Sequence, residues 1–271
     1  MAGISEESAR SALREVYASI KDQSYDEIFI SKSKNLEEAF GRLDALAAQK
    51  VEERVVERLL QDPRLKEVRE GVSRLRNVFG LRLEVEAARS ILESPDPWAV
   101  LKSFTFYPNY LLLAEAEKRG AALKSGETVA FLGSGPLPLS LIALCSECGL
   151  MGIGIEKVPQ WAKLSREVLD CLDLSSQIEI HVGDHFSFPL DRRCDLVMVA
   201  AKARPKEEIF RRLGKVLAPG TRVSYRVYEK GLRRLLDMES APHMPPELKE
   251  CLRIRPKPPV NNTSVFLIRT Q

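Results

Sequence analysis

"TVAFLGSGPLPLS", residues 128–140, leaves a short β-rich run through Gly133-Ser134-Gly135 and then places Pro136 and Pro138 where a helix should begin. In an open α/β sheet, ligands sit beyond the carboxyl ends of the strands, beside the turn that follows the first one. Gly133 and Gly135 let the backbone approach a ligand that a Cβ would push away. A dinucleotide fingerprint wants three glycines, and here two prolines remove N–H groups that would otherwise face a pyrophosphate. The turn therefore suits an adenosine ligand without phosphates. Taken alone, Gly-x-Gly after a strand is often just a tight turn, so its surroundings must decide.

Those surroundings are short β-rich runs alternating with helices: "TVAFLG", "MGIGIE", "QIEIHVGD", "CDLVMVAA", "TRVSYRVY" and "TSVFLIRT". The alternation predicts a parallel, doubly wound α/β sheet. The second run ends in Glu156, about 20 residues after the glycines, where an acid accepts the two ribose hydroxyls. The third ends at Asp184, where a carboxylate or its neighbours meet the adenine. This order resembles the class I S-adenosylmethionine-dependent (Rossmann-like) fold. Gly133, Ser134, Gly135, Pro136, Leu137, Glu156, Asp184 and Ala200 are the expected cofactor-binding residues.

From Ser5 to about Gly120 the pattern is helical, with apolar residues three and four apart. Breaks fall at "QDPRL" and "ESPDPW", where Ser94 or Asp96 caps the next helix. The reading is a bundle or lid of five or six helices over residues 1–120, with the cofactor domain over 121–271.

Composition narrows the function classes. The chain has 271 residues, 44% of them hydrophobic, and a net charge of +3. No run nears the roughly 20 apolar residues of a membrane helix, and the N-terminus reads as an amphipathic helix rather than a secretory signal. Five scattered cysteines suit a reducing compartment, so a cytoplasmic protein is expected. The lone Cys145-x-x-Cys148 reads as small core residues. Residues 204–257 carry 14 Lys+Arg against 7 Asp+Glu but lack interleaved aromatics, which argues against nucleic acid. No His, Cys or carboxylate group has ligand spacing, so no bound metal is expected. His181 and His185 read as structural. An apolar edge on the helical half leaves room for a homodimer.

A methyltransferase alone does not explain "LRLEVEAARSILESPDPWAVLKSFTFYPNYLLL", residues 81–113. On a helix Glu84 shares a face with Leu81, Ala88 and Leu92, and a carboxylate among apolar neighbours needs a partner or a task. Glu86 faces solvent. Phe104, Phe106, Tyr107 and Tyr110 crowd around Pro108 and Asn109, forming either a clamp between domains or an active-site wall.

"SFTFYPNY", "VAFLGSGPLPLS", "VMVAAKARPKEEIF", "YRVYEKGLRRLL" and "VNNTSV" resemble, in order and spacing, the nicotianamine synthase family. The likeness runs from about residue 77 to 268 and is nearest to its small archaeal and bacterial members. The resemblance implies transfer of the aminobutyrate (3-amino-3-carboxypropyl) arm of S-adenosylmethionine, a co-substrate, to an amino-acid amine. Methylthioadenosine is released and a nicotianamine-like chelator forms. It also implies Glu84 and Tyr110 as active-site residues with Tyr107 beside them, and Arg226 and Asn262 as substrate contacts. The acceptor stays open among glutamate, histidine and a second S-adenosylmethionine. Lys202 and Arg204 add positive charge where related sequences are often apolar or acidic, which favours an acceptor with more carboxylates. The alternatives are an S-adenosylmethionine-dependent small-molecule or RNA methyltransferase and a non-catalytic S-adenosylmethionine-binding protein.

Overall fold

A computed structural model of the chain describes residues 4–30, 34–187, 194–229, 231–236, 243–255, 257, 260 and 262–270. These form two compact units. One holds the residues up to Leu83 with the segment that starts at Tyr228; the other holds Glu84–Val227 with the C-terminal strands.

The first unit is helical: α1 (Glu6–Ile20), α2 (Tyr25–Ile30), α3 (Lys34–Ala47), α4 (Glu53–Gln61), a 3-10 turn (Pro63–Leu65) and the first part of α5 (Lys66–Glu93). Ser5 caps α1 by accepting the Ser8 N–H, and Glu6 and Glu7 place negative charge in its first turn. Ala9, Leu13, Val16 and Ile20 then form its buried stripe. A reciprocal cap starts α2, an element without a clear signal in the apolar spacing: the Glu27 N–H donates to Ser24 Oγ and the Ser24 N–H to Glu27 Oε2. The shared core includes Leu36, Phe40, Leu43, Val56, Leu59 and Val72, closed by Leu232 and Leu235 from a returning 3-10 segment, Gly231–Leu236. Arg234 anchors that segment on Glu53 and Glu57 of α4.

The second unit is a seven-stranded sheet in the order β3-β2-β1-β4-β5-β7-β6. Its strands are β1 (Thr128–Leu132), β2 (Met151–Glu156), β3 (Ile178–Val182), β4 (Leu196–Val199), β5 (Arg222–Val227), β6 (Leu248–Ile254) and β7 (Thr263–Arg269). The first five pair in parallel, as expected, whereas β7 runs antiparallel to both β5 and β6. The wholly parallel reading is corrected there, and β6 is an additional edge strand. Its side chains are mostly exposed, so no alternation marked it. The order reverses direction between β1 and β4, which puts the switch point at the Gly133–Gly135 turn.

Period-two alternation builds a core on each face. Val129, Phe131, Leu196 and Met198 join the cluster that α7 (Tyr107–Gly120), α8 (Leu139–Cys148) and α9 (Pro159–Cys171) cover. Ala130, Leu132, Val197, Val199, Val223 and Tyr225 face the other way, toward α10 (Lys206–Val216). Ala88 and Ile91 of α5 and Leu101 of α6 (Pro97–Ser103) also belong to the first cluster, so the helical half of the sequence is shared between the units. Residue 120 marks where helix gives way to strand; the units part at Leu83. Of the two caps considered for α6, Asp96 accepts the Ala99 N–H, while Ser94 accepts that of Asp96.

Asp62, where α4 ends, is the electrostatic knot of the first unit. It accepts from the Arg64 N–H and guanidinium and from Arg10, and Arg64 first of all holds its carboxyl well below the usual range. A depressed carboxylate contributes stability above its unfolded pKa and loses it as pH falls toward the folded value. Urea denaturation should therefore show Asp62→Asn less stable than wild type at neutral pH, with the gap narrowing below about pH 4.

Candidate functional site

The glycine turn is held by the end of β2. The Gly133 and Ser134 N–H groups donate to Ile155 O at 2.8 and 3.2 Å, and the Gly135 N–H donates to Glu156 Oε2 at 2.9 Å. The other carboxylate oxygen of Glu156 accepts the Val158 N–H at 2.9 Å. Three successive amides are thus consumed within the protein, and the next residue is Pro136. No row of free N–H groups remains between Gly133 and Pro136 to cradle a phosphate. Each Glu156 oxygen keeps a further lone pair for a hydroxyl. The Ser134 hydroxyl is buried and has no partner among the described residues.

Both glycines have positive φ, +84° and +74°, and both are closely approached. A Cβ on Gly133 would stand 3.2 Å from the Ala200 Cβ, bringing the turns after β1 and β4 together. A Cβ on Gly135 would stand 3.3 Å from Glu84 Oε2. The glutamate on α5 thus lies against the glycine turn, within the same unit. Its side chain is 21% exposed, and Lys202 Nζ, from the turn after β4, lies 3.7 Å from Oε1. Burial pushes the Glu84 carboxyl up, Lys202 opposes that, and the like charge of Glu156 adds to it.

Helix α7 supplies a second group. Proline in its first turn suits the helix start. Tyr110 lies with its ring 5.7 Å from the Arg226 guanidinium carbon. Ser224, Arg226 and Ser264 occupy the α7 side of β5 and β7, opposite the apolar residues that alternate with them. There Glu117, fully buried, accepts from Arg226 Nε at 3.0 Å, Ser224 Oγ at 3.1 Å and Ser264 Oγ at 3.2 Å. Arg226 Nη1 donates to Ser140 Oγ at 3.1 Å, and its buried Nη2 has no partner among the described residues. Sequence reasoning missed Glu117, although it lies four residues after Leu113 and seven after Tyr110, on the covered face of α7.

The remaining candidates are more dispersed. Asp184 Oδ1 accepts the Phe186 N–H in the turn after β3. Asn262 is half-buried where β7 begins, next to the Val227–Thr263 pair. Pro136 is buried, and Leu137 packs into the core, so the latter offers only its backbone to a ligand. Tyr107 is buried in the same cluster. Cys145 is core, and burial pushes its thiol up to about 12. His181 lies at 3.2 Å from Glu179, while His185 is buried 3.8 Å from Glu208. Among the described residues no group of three or more His, Cys, Asp or Glu is placed to hold a metal ion.

The family model described as nicotianamine synthase protein matches residues 8–271. The chain belongs to the nicotianamine synthase family. Membership thus covers the N-terminal helices too, where the sequence reading found helicity alone. Nicotianamine synthase 3 of Oryza sativa, in the indica and japonica subspecies, is 30% identical over 152 residues, 51% of this chain and 44% of those proteins. The aligned stretch therefore covers less than half the length of these curated relatives. Among solved structures, a glutamate-to-glutamine mutant of MtNAS in complex with S-adenosylmethionine is 27% identical, with a TM-score of 0.83 over 96% of this chain and 98% of that one. MtNAS in complex with MTA and tNA is 26% identical, with a TM-score of 0.81 over 98% and 97%.

The clamp on the nicotianamine synthase-type turn is open to a direct test. Glu156→Ala removes two hydrogen bonds to a charged acceptor and should cost about 2–4 kcal/mol in chemical denaturation. Glu156→Gln keeps one acceptor oxygen and should recover about half of that.

Proposed function

We propose that this chain transfers the aminobutyrate (3-amino-3-carboxypropyl) group of S-adenosylmethionine to the amine of an amino-acid acceptor, releasing methylthioadenosine and building a nicotianamine-like metal chelator. The observation that carries this reading is the Glu84 carboxylate standing against Gly135, with Lys202 beside it. The MtNAS complexes with S-adenosylmethionine and with MTA and tNA support the same substrate class.

In this reading the Gly133–Leu137 turn and Ala200 take the adenosyl group, Glu156 accepts ribose hydroxyls, and Asp184 borders the adenine. The sulfonium supplies a methylene carbon activated toward a nucleophile. Orientation decides which of its carbons reacts, and Arg226 holds the donor carboxylate through Nη2 while Tyr110 lines the donor arm. Glu84 receives the acceptor as an ammonium and takes its proton. The freed amine forms the carbon–nitrogen bond as the carbon–sulfur bond breaks, and the electron pair leaves with sulfur. Tyr107 supports this wall from the core, and Asn262 borders the acceptor. The chemistry needs no bound metal; metal is the destiny of the product. No described helix is long and apolar enough to cross a membrane; the reading takes the enzyme to be cytoplasmic.

Glu84→Gln should keep S-adenosylmethionine binding by calorimetry and lower methylthioadenosine release about a hundred-fold or more. Wild-type release should rise with pH through a pKa above the ordinary glutamate value, because Glu84 works ionised. Formation of S-adenosylhomocysteine in place of methylthioadenosine would identify a methyltransferase instead.

A further inference from the structure

We infer that Lys202 holds the α-carboxylate of the acceptor, so that Glu84 and Lys202 together select an amino-acid zwitterion over a simple amine. The inference rests on the aminobutyrate-transfer reading and specifies its acceptor side. Lys202 Nζ and Glu84 Oε1 are 3.7 Å apart, well beyond the about 2.7–2.9 Å of a closed charge-assisted bond. Among the described residues, each is the other's hydrogen-bonding or ionic partner and has no second one. The lysine side chain is 44% exposed, so its ammonium keeps water that a ligand can displace.

The spacing matches an α-amino acid. Standard backbone dimensions put its nitrogen about 2.5 Å from the carboxylate carbon and about 3 Å from the oxygens. Laid head to tail against the pair, the acceptor places its ammonium on Glu84 and its carboxylate on Lys202. All four charges are then paired.

Charge placement favours this assignment. An acceptor carboxylate entering here meets Glu84 and, close enough to act on it, Glu156. Without a cation it would be repelled. Arg226 is already committed to Glu117 and Ser140, with a single donor edge left for the other substrate's carboxylate. Arg204, which also follows β4, directs Nη1 to the carbonyls of Ala201 and Ala203. Two substrate carboxylates thus meet two cations at separate places, Arg226 for the donor and Lys202 for the acceptor.

The test measures methylthioadenosine release with S-adenosylmethionine and whichever of L-glutamate, L-histidine or S-adenosylmethionine itself supports turnover, at a pH where Glu84 is fully ionised. Lys202→Met should raise the acceptor KM about ten-fold or more, with a smaller change in kcat. Lys202→Arg should restore most of the loss, and, where L-glutamate or L-histidine is the acceptor, donor affinity, measured by calorimetry with S-adenosylmethionine in the Glu84→Gln background, should be unchanged by adding Lys202→Met. An acceptor KM within about two-fold of wild type, or only a displaced pH–rate profile, would overturn the assignment, since a lysine that merely tunes Glu84 gives the latter. With L-glutamate or L-histidine as the acceptor, a parallel fall in donor affinity would overturn it as well. Failure of the wild-type protein to release methylthioadenosine with every acceptor would instead sink the parent reading, and this one with it.

Discussion

Everything at the ligand end of the sheet depends on how β2 finishes. The Ile155 carbonyl and the Glu156 carboxylate absorb the amides of Gly133, Ser134 and Gly135. Fixing these donors gives the turn one conformation, with both glycines at positive φ where other residues are strained. That conformation brings Gly135 beneath Glu84 and Gly133 beside Ala200. A glycine turn that held a pyrophosphate would point its amides outward; this one points them back into the protein, and so favours hydroxyl and carbon surfaces as guests.

The other half of the architecture is a problem of buried charge. Arg226 emerges on a face of β5 that is otherwise packed beneath α7, where an unpaired guanidinium would be costly. Glu117 answers it from the helix, and two serines complete the carboxylate's shell. The same principle operates less completely at Glu84, where Lys202 stands off at 3.7 Å. One pair is closed and one is open. The closed pair fixes a side chain, while the open pair keeps its two charges apart and partly exposed.

Much of this was legible in the sequence because it is local. The glycine turn, Glu156 after the second strand, and the breaks at Asp62-Pro63 and Asp96-Pro97 are written in adjacent residues. The apolar company of Glu84 followed from helical spacing along about three turns of α5, from Leu81 to Leu92. What escaped is non-local or lacks a pattern. Lys202 was noted as surplus charge, since nothing in residues 196–206 says that α5 will stand opposite. Glu117 sits in "AEAEKRG", which reads as the polar end of a helix until a sheet covers it. Edge strand β6 shows mostly exposed side chains and offers no alternation to read. Ser24 and Glu27, three residues apart, carry a cap signature that marks α2 where the apolar spacing does not.

The returning segment Gly231–Leu236 has a consequence for biosynthesis. Leu232 and Leu235 complete the core of the helical unit, and Arg234 ties them to α4. Domains generally fold in order as they leave the ribosome. Here the first unit to emerge cannot finish its own interior until every parallel strand of the sheet has been translated. The two units therefore mature together, and the last helical contacts are made by residues that follow the final parallel strand.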